Sequence, residues 1–455
     1  MSAGPNSDRI TRWLDRSSPT MFSLYAIFAA FSTYFCMYAF RKPFAAAEYA
    51  GFEFLGTAIN LKTAFVISQI MGYTISKYLG CKFCSEIKRN QQARVLIAMV
   101  LIAEIGLVGF AVLPNNLKVL AIFANGVPLG MVWGLVSRYL EGRKTAELLF
   151  AGLSCSYIVA SSSVKTVGGL LMDGGVTEFW MPVTTGAIFL VPYIVSVYFL
   201  NKLPLPDDQD ISSRSERTIM DRQDRLQFFK QFLFGMIMLL VLYFFLTAYR
   251  DFRDNYMKEV FGAMGYPPEP TLFTKADYPI AFGIMVVMAL LNLVKDHRRG
   301  VMAVFAVMIG GMLLMAGATL LKDLGYINGI WWMILIGFGA YLAYVPFGAV
   351  LFERIIASTK AAGTAVFAIY LCDAIGYTGS VGIQLYKDLG QPDLDYFQFL
   401  RLFTYAMAIL GTVLFVFSSK YFLGKSAPAM ANNGGFESDD IVAANVIDDA
   451  DTSEE

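Results

Sequence analysis

Histidine is nearly absent from this sequence: His297 is the only one in 455 residues. Cysteine is scarce as well. Of the five, Cys36, Cys155 and Cys372 lie inside apolar runs, so no disulfide framework is indicated. Cys81 and Cys84 have C-x-x-C spacing, but no second pair follows and the lone histidine is far along the chain, which argues against a metal or redox site. Charge is sparse, at 16% of residues, and balanced at 36 cations to 36 carboxylates, so no acidic partner or nucleic acid is implied. No nucleophile–base pair, no Gly-x-Ser-x-Gly turn and no phosphate loop is present, so neither an enzyme nor a cofactor is expected.

What remains is apolar. Hydrophobic residues make up 56% of the chain and the mean hydropathy is +0.54, outside the range of ordinary soluble domains. A spanning helix needs about 20 such residues. Runs over 20–40, 57–79, 93–113, 117–139, 146–171, 179–201, 228–249, 277–294, 301–321, 330–352, 362–385 and 399–423 qualify, giving an all-α membrane protein of twelve transmembrane helices. The first run is expected to stay in place, since residues 1–19 are polar and no small-residue cleavage site follows. Most Lys and Arg fall in the N-terminal arm, after even-numbered spans and at the C-terminal end (Arg9, Arg12, Lys82, Arg89, Arg143, Arg217, Arg298, Lys425). By the positive-inside rule both termini are cytoplasmic in a cell membrane. The division expected is an arm at 1–19, a six-helix half at 20–201, a cytoplasmic linker at 202–227, a second half at 228–425 and a disordered acidic tail at 426–455.

Charges within the spans are the informative ones, because a cation at mid-bilayer costs roughly 2.5–3.5 kcal/mol on insertion scales. The first span ends in Tyr38-Ala39-Phe40-Arg41-Lys42-Pro43. Tyr34, Tyr38 and Arg41 share one helical face, which directs Arg41 into the bundle, while Lys42 beside Pro43 reads as an interfacial snorkel. Lys165 in span five is too deep to snorkel; its expected partners are an anionic substrate or a carboxylate such as Asp373 in span eleven. Asp373 is then a proton coupler or a counter-ion, and Glu104 in span three a structural pair or coupling group. Arg250-Asp251-Phe252-Arg253-Asp254 alternates in sign and reads, beyond Arg250, as a solvated helix end. Ala39-Phe40-Arg41 recurs as Ala248-Tyr249-Arg250, and Val127-Pro128-Leu129-Gly130 as Val345-Pro346-Phe347-Gly348, at corresponding spans. Two pseudo-symmetric halves, with the arginines facing each other across their axis, are the expectation.

These residues resemble the organophosphate:phosphate antiporter group of the major facilitator superfamily, the glycerol-3-phosphate and hexose-phosphate exchangers. Tyr38 to Ala45 is similar to that group's Tyr-Leu-Val-Arg-Lys-Asn-Phe-Ala, whose arginine binds phosphate. Gly130-Met131-Val132-Trp133 with Arg138, Lys165-Thr166-Val167-Gly168-Gly169 in place of His-Asn-Val-Gly-Gly, Asp251 with Tyr256-Met257-Lys258-Glu259-Val260, and Lys360-Ala361-Ala362-Gly363-Thr364-Ala365 extend the likeness over most of the chain. Tyr344 resembles a tyrosine of the substrate site. Departures exist: the group's second arginine would align near Leu246, one turn before Arg250; its span-two lysine is Ser68 or Gln69; and Ser76 stands where the superfamily loop has aspartate.

The resemblance implies the major facilitator fold and a secondary active transporter moving a small anionic metabolite by alternating access. Arg41, Lys165 and Arg250, with Tyr38 and Tyr344, would bind the anion, and Asp373 or Glu104 would couple or counter charge. Partners are the bilayer, the solute and protons or phosphate as counter-substrate, with a monomer expected. A membrane ligand sensor of the same fold, or a proton-coupled transporter of a non-phosphorylated solute, are the alternatives.

Overall fold

The computed structural model describes residues 8–206 apart from 53, 58 and 144, and residues 228–426 apart from 360–364 and 392. Long apolar runs fold into helices because no backbone polar group can be left unpaired in hydrocarbon. Twelve long helices result among the described residues. The first six are α1 (Pro19–Met37), α2 (Leu61–Glu86), α3 (Arg89–Val112), α4 (Asn115–Ser137), α5 (Ala146–Asp173) and α6 (Met181–Asn201). The second six are α7 (Leu233–Asn255), α8 (Leu272–Asn292), α9 (His297–Asp323), α10 (Gly329–Pro346), α11 (Ala365–Leu385) and α12 (Tyr396–Lys425). Among the described residues ten are long and apolar enough to cross a membrane, and there is no strand. α2 is more polar, since it carries Lys62, Gln69, Ser76 and Lys77 into the bundle interior.

Sequence sets several helix starts. Pro19 opens α1 behind Ser18, whose side chain accepts from the Met21 amide; Asp296, Asn328 and Asp395 cap α9, α10 and α12 in the same way. Pro346 ends the regular part of α10, which runs on through a π-turn at Phe347–Leu351 into Phe352–Thr359. α1 stops at Met37, tightens to 3₁₀ over Tyr38–Phe40 and breaks at Lys42-Pro43, so Arg41 and Lys42 sit on an unwound segment.

The two halves repeat one packing scheme. In the first, α1 packs on α5 and α6, α2 and α3 on α4, and α3 on α6; in the second, α7 packs on α11 and α12, α8 and α9 on α10, and α9 on α12. The most extensive helix pairings between the halves are α2 with α11 and α5 with α8, which the pseudo-two-fold exchanges. The α2–α4 seam is tight: a Cβ at Gly126 would lie 2.4 Å from the Gln69 carbonyl oxygen, and one at Gly130 2.6 Å from that of Tyr73. That approach fixes Gln69 and Tyr73 in place beneath Arg41.

The helix at Arg9–Asp15 is tied to the end of α6, where Thr11 Oγ1 donates to the Lys202 carbonyl at 3.0 Å, and Lys425 at the end of α12 reaches the Gln231 carbonyl before α7 at 2.6 Å. Both described chain ends therefore lie on one face of the bundle, the terminal face.

Candidate functional site

Arg41 is 4% exposed and turned into the bundle. Its guanidinium lies 3.9 Å from the centre of the Tyr73 ring and 5.6 Å from that of Tyr38. Tyr73 is twelve residues into α2, about 18 Å from the face where that helix starts. Arg41 thus points back toward mid-depth, away from the nearer interface. Its own carbonyl accepts from Gln69 Nε2 at 2.8 Å, and Phe40's from Asn125 Nδ2 at 2.9 Å, so the unwound segment is held by the amides of α2 and α4. Among the described residues no carboxylate pairs with Arg41, and its Nε is buried without a hydrogen-bond partner.

Arg250 approaches from α7. Its guanidinium stands 4.4 Å over the Tyr344 ring, Nη2 donates to Asp251 Oδ1 at 2.7 Å, and Nε is buried unpaired. Tyr38 and Tyr377 each lie in electrostatic range of both arginines, so Arg41, Arg250, Tyr38 and Tyr344 form one neighbourhood between the halves. A desolvated guanidinium over an aromatic face gains about 2 kcal/mol, which offsets only part of the cost of burying it.

Layers of polar contacts close the interface above and below. Toward the face opposite the chain ends, Asp254 of α7 receives Lys42 (2.7 Å), Lys165 (2.8 Å) and Ser161 (2.7 Å). Lys42 also reaches Asn255 Oδ1 at 2.8 Å, Lys62 pairs with Glu259, and the Thr63 and Tyr256 hydroxyls meet at 2.9 Å. Toward the terminal face, Asp373 takes Lys77 at 3.1 Å and the Tyr243 hydroxyl at 2.8 Å, and the Tyr73 and Tyr377 rings meet at 5.0 Å. A cavity of about 650 Å³ opens on the opposite face; Phe273 at its lining stands 5.0 Å from Lys165 Nζ and separates it from the charged layer.

Several readings of the sequence are corrected by this geometry. Lys42 does not snorkel: it is 6% exposed, because Asp254 and Asn255 offer acceptors within the bundle. Lys165 pairs with Asp254, not with Asp373, and lies one layer away from the arginines. The segment from Arg250 to Asp254 is buried throughout, not solvated; Arg253 is locked within its own half by Asp277 at 3.0 Å and the Met333 carbonyl at 2.9 Å. Among the described residues Glu104 forms no structural pair: Oε2 is buried without a partner against Gly186, and the lack of a Cβ there makes its room. Lys360 to Thr364 and the Cys81 and Cys84 side chains lie outside the described residues, among which no group of three metal-ligating side chains occurs.

Asp254, Tyr73, Tyr157 and Tyr377 were not singled out from sequence. Asp254 had a signal, since it falls one turn after Arg250 on the same helical face. The tyrosines had none, because aromatic residues crowd every span.

No curated protein matches the chain. Solved structures do: a D-xylose–proton symporter (TM-score 0.58, 12% identity, covering 89% of this chain and 98% of that one) and a bacterial homologue of the human drug peptide transporters PepT1 and PepT2 (0.56, 15%, 90% and 98%). A major facilitator superfamily proton:xylose symporter bound to 6-bromo-6-deoxy-D-glucose is similar to the same degree (0.57, 15%, 88% and 96%). At such identities the likeness establishes the fold, which is the major facilitator fold of two six-helix halves. Residues 43–425 match a family described as a family of unknown function, DUF5690. The chain is a multi-pass membrane protein belonging to that family and built on that fold.

Proposed function

We propose that this protein is a secondary transporter that moves a small anionic metabolite by alternating access, with Arg41 and Arg250 as its anion anchors. One observation carries the reading: Arg41 is buried between the halves with no carboxylate partner among the described residues, while the lysines around it are paired. A fixed, desolvated guanidinium with free donors calls for an oxyanion, which it binds through its planar fork. Arg250 keeps Nε without a hydrogen-bond partner, and Tyr38 and Tyr344 lie beside the two arginines. Lys165 and Asp373 act one layer out. They hold the halves together on either side, so each must let go in turn as the halves rock about the site.

The resemblance to organophosphate exchangers favours phosphate esters, phosphate or carboxylates as the solute. The positive-inside bias favours a cytoplasmic terminal face, so a cysteine at Ser213 should label from the cytoplasm and one at Ala263 from outside; labelling from one side alone removes the two-half orientation.

The functional test is counterflow in liposomes. Purified protein is first screened for thermal stabilisation by phosphate, phosphate esters, carboxylates and neutral sugars, since a ligand at a hundredfold excess over its Kd adds about 2.7 kcal/mol to folding. The stabilising anion is then loaded inside, and accumulation of external label is followed. Label should accumulate only with anion on both sides. Stabilisation without accumulation would identify a ligand sensor, and stabilisation by neutral sugars alone would remove the anion reading.

A further inference from the structure

The surroundings of the two arginines restrict what the anion is attached to. A hydroxyl-rich body such as a sugar is recognised by amides and carboxylates with donors and acceptors to spare. Among the described residues next to the arginines those groups are engaged with the protein itself, and the unpaired amide donor, Asn255 Nδ2, lies one layer out beside Lys42. Gln69 donates to Arg41 O and Asn125 Oδ1, and Asn125 donates to Phe40 O and Ala103 O. Gln384 is bonded to Ser380, Asp251 to Arg250 and Ser380, and Asp373 to Lys77 and Tyr243.

What is left is aromatic. From Arg41 an unbroken run of rings reaches Arg250 by way of both halves: Tyr38 meets Tyr34 at 5.5 Å, Tyr34 meets Trp133 at 5.0 Å, Trp133 meets Tyr157 at 6.0 Å, and Tyr157 meets Tyr344 at 6.3 Å. Arg41 stands over the first ring and Arg250 over the last. Trp133 and Tyr157, at the middle of the run, are half-buried, and Tyr157 meets Tyr344 of the second half. Half-buried rings arranged edge to face, or tilted as Trp133 and Tyr157 are, keep part of their faces uncovered, and a flat conjugated body is the partner that matches them.

We propose that the substrate is an anion borne on an aromatic body, a carboxylate or phosphate ester whose charge sits on Arg41 or Arg250 and whose ring packs against Trp133 and Tyr157. This rests on the anion reading of the same two arginines. The discriminating variable is the body of the ligand at constant charge.

The test is thermal stabilisation of the full-length purified protein by matched pairs: phenyl phosphate against glycerol 3-phosphate, and benzoate against acetate, with inorganic phosphate and neutral phenol as references. Ring contacts of this kind predict that the aromatic member of each pair acts at about tenfold lower concentration than its aliphatic partner. Phenol should be silent. Tyr157→Leu should bring the two members of each pair to equal potency, and Tyr157→Phe, which keeps the ring, should retain the aromatic advantage. Should Tyr157→Leu not fold, the wild-type pairs and Tyr157→Phe decide alone. Equal potency within each pair would overturn the aromatic inference while leaving the anion anchors standing. No response to any anion would overturn both.

Discussion

The two halves share a packing scheme and divide the charge between them. Among the described residues, each of the four buried ion pairs that join them takes its lysine from the first half (Lys42, Lys62, Lys77, Lys165) and its carboxylate from the second (Asp254, Glu259, Asp373), while the more exposed Lys258–Glu48 pair runs the other way. The same division separates the two arginines that the internal repeat relates. Arg250 has Asp251 beside it on α7, whereas Arg41 stands on an unwound segment with no carboxylate of its own and none reaching it from across the interface among the described residues. Among the described residues, three carboxylates serve these four lysines, Asp254 being shared by two, so the buried pairs carry more positive than negative charge. A pseudo-symmetric scaffold thus carries an asymmetric distribution of charge: its pairs hold the halves together, and its surplus is the charge that we propose meets an anion. Two-fold backbone symmetry says little about which half supplies the ligand's charge.

The largest effect is expected where one carboxylate serves two lysines. Asp254→Ala leaves two buried ammonium groups unpaired and should lower stability by about 3–5 kcal/mol, read as a fall in thermal unfolding temperature in detergent. Replacing the whole triad by apolar side chains (Lys42→Met, Lys165→Met, Asp254→Leu) should recover most of it, since buried ion pairs exchanged for packed hydrophobes are often neutral. An Asp254→Ala protein as stable as wild type would break the division of charge at its centre.

Next is the terminal-face pair. Asp373→Lys alone sets two cations against each other, while Asp373→Lys combined with Lys77→Asp exchanges the halves' roles and should restore folding and solute counterflow in large part. Purely additive loss in the double variant would show that Lys77 and Asp373 are not energetically coupled.

A smaller effect sharpens the status of Lys42. Its ammonium fits between Asp254 and Asn255 in a site 6% exposed, so the bulkier guanidinium of Lys42→Arg should cost about 1–3 kcal/mol through overpacking. A snorkelling lysine would tolerate the change silently. Smallest of all, Glu269→Gln removes the partner of Lys275 in a pair whose side chains are about half exposed, and should shift stability by less than about 1 kcal/mol. A shift as large as that of Asp254→Ala would mean that burial is not what distinguishes the joining pairs.

Much of the fold was legible because span length and hydropathy are imposed by the bilayer, and the recurrence of Phe40-Arg41 as Tyr249-Arg250 exposed the two halves. Helix ends were less so: α7 runs to Asn255 because Asp251, Arg253 and Asp254 find partners in the bundle, which a hydropathy window cannot foresee. Partner choice was illegible for the same reason. Asp254 and Asp373 are equally plausible counter-ions for Lys165 in one dimension, and only the packing of α5 on α8, which leaves Lys165 within reach of Asp254 on α7, selects between them. The direction of Arg41 followed from its face with Tyr38, but the burial of Lys42 did not, since Pro43 ends a helix equally well in the bundle and at an interface.

The central claim is that Arg41 is a cation reserved for a mobile anion. It is tested most directly by Arg41→Lys, which keeps the charge and loses the planar five-donor fork. The measurement is anion-dependent thermal stabilisation of the purified variant beside wild type, using the anion that stabilises wild type most. The account predicts a variant that folds and unfolds near the wild-type temperature without ligand, yet needs at least about tenfold more anion to be stabilised, since each 1.4 kcal/mol of lost binding is a factor of ten. A wild-type dose response from Arg41→Lys would contradict it.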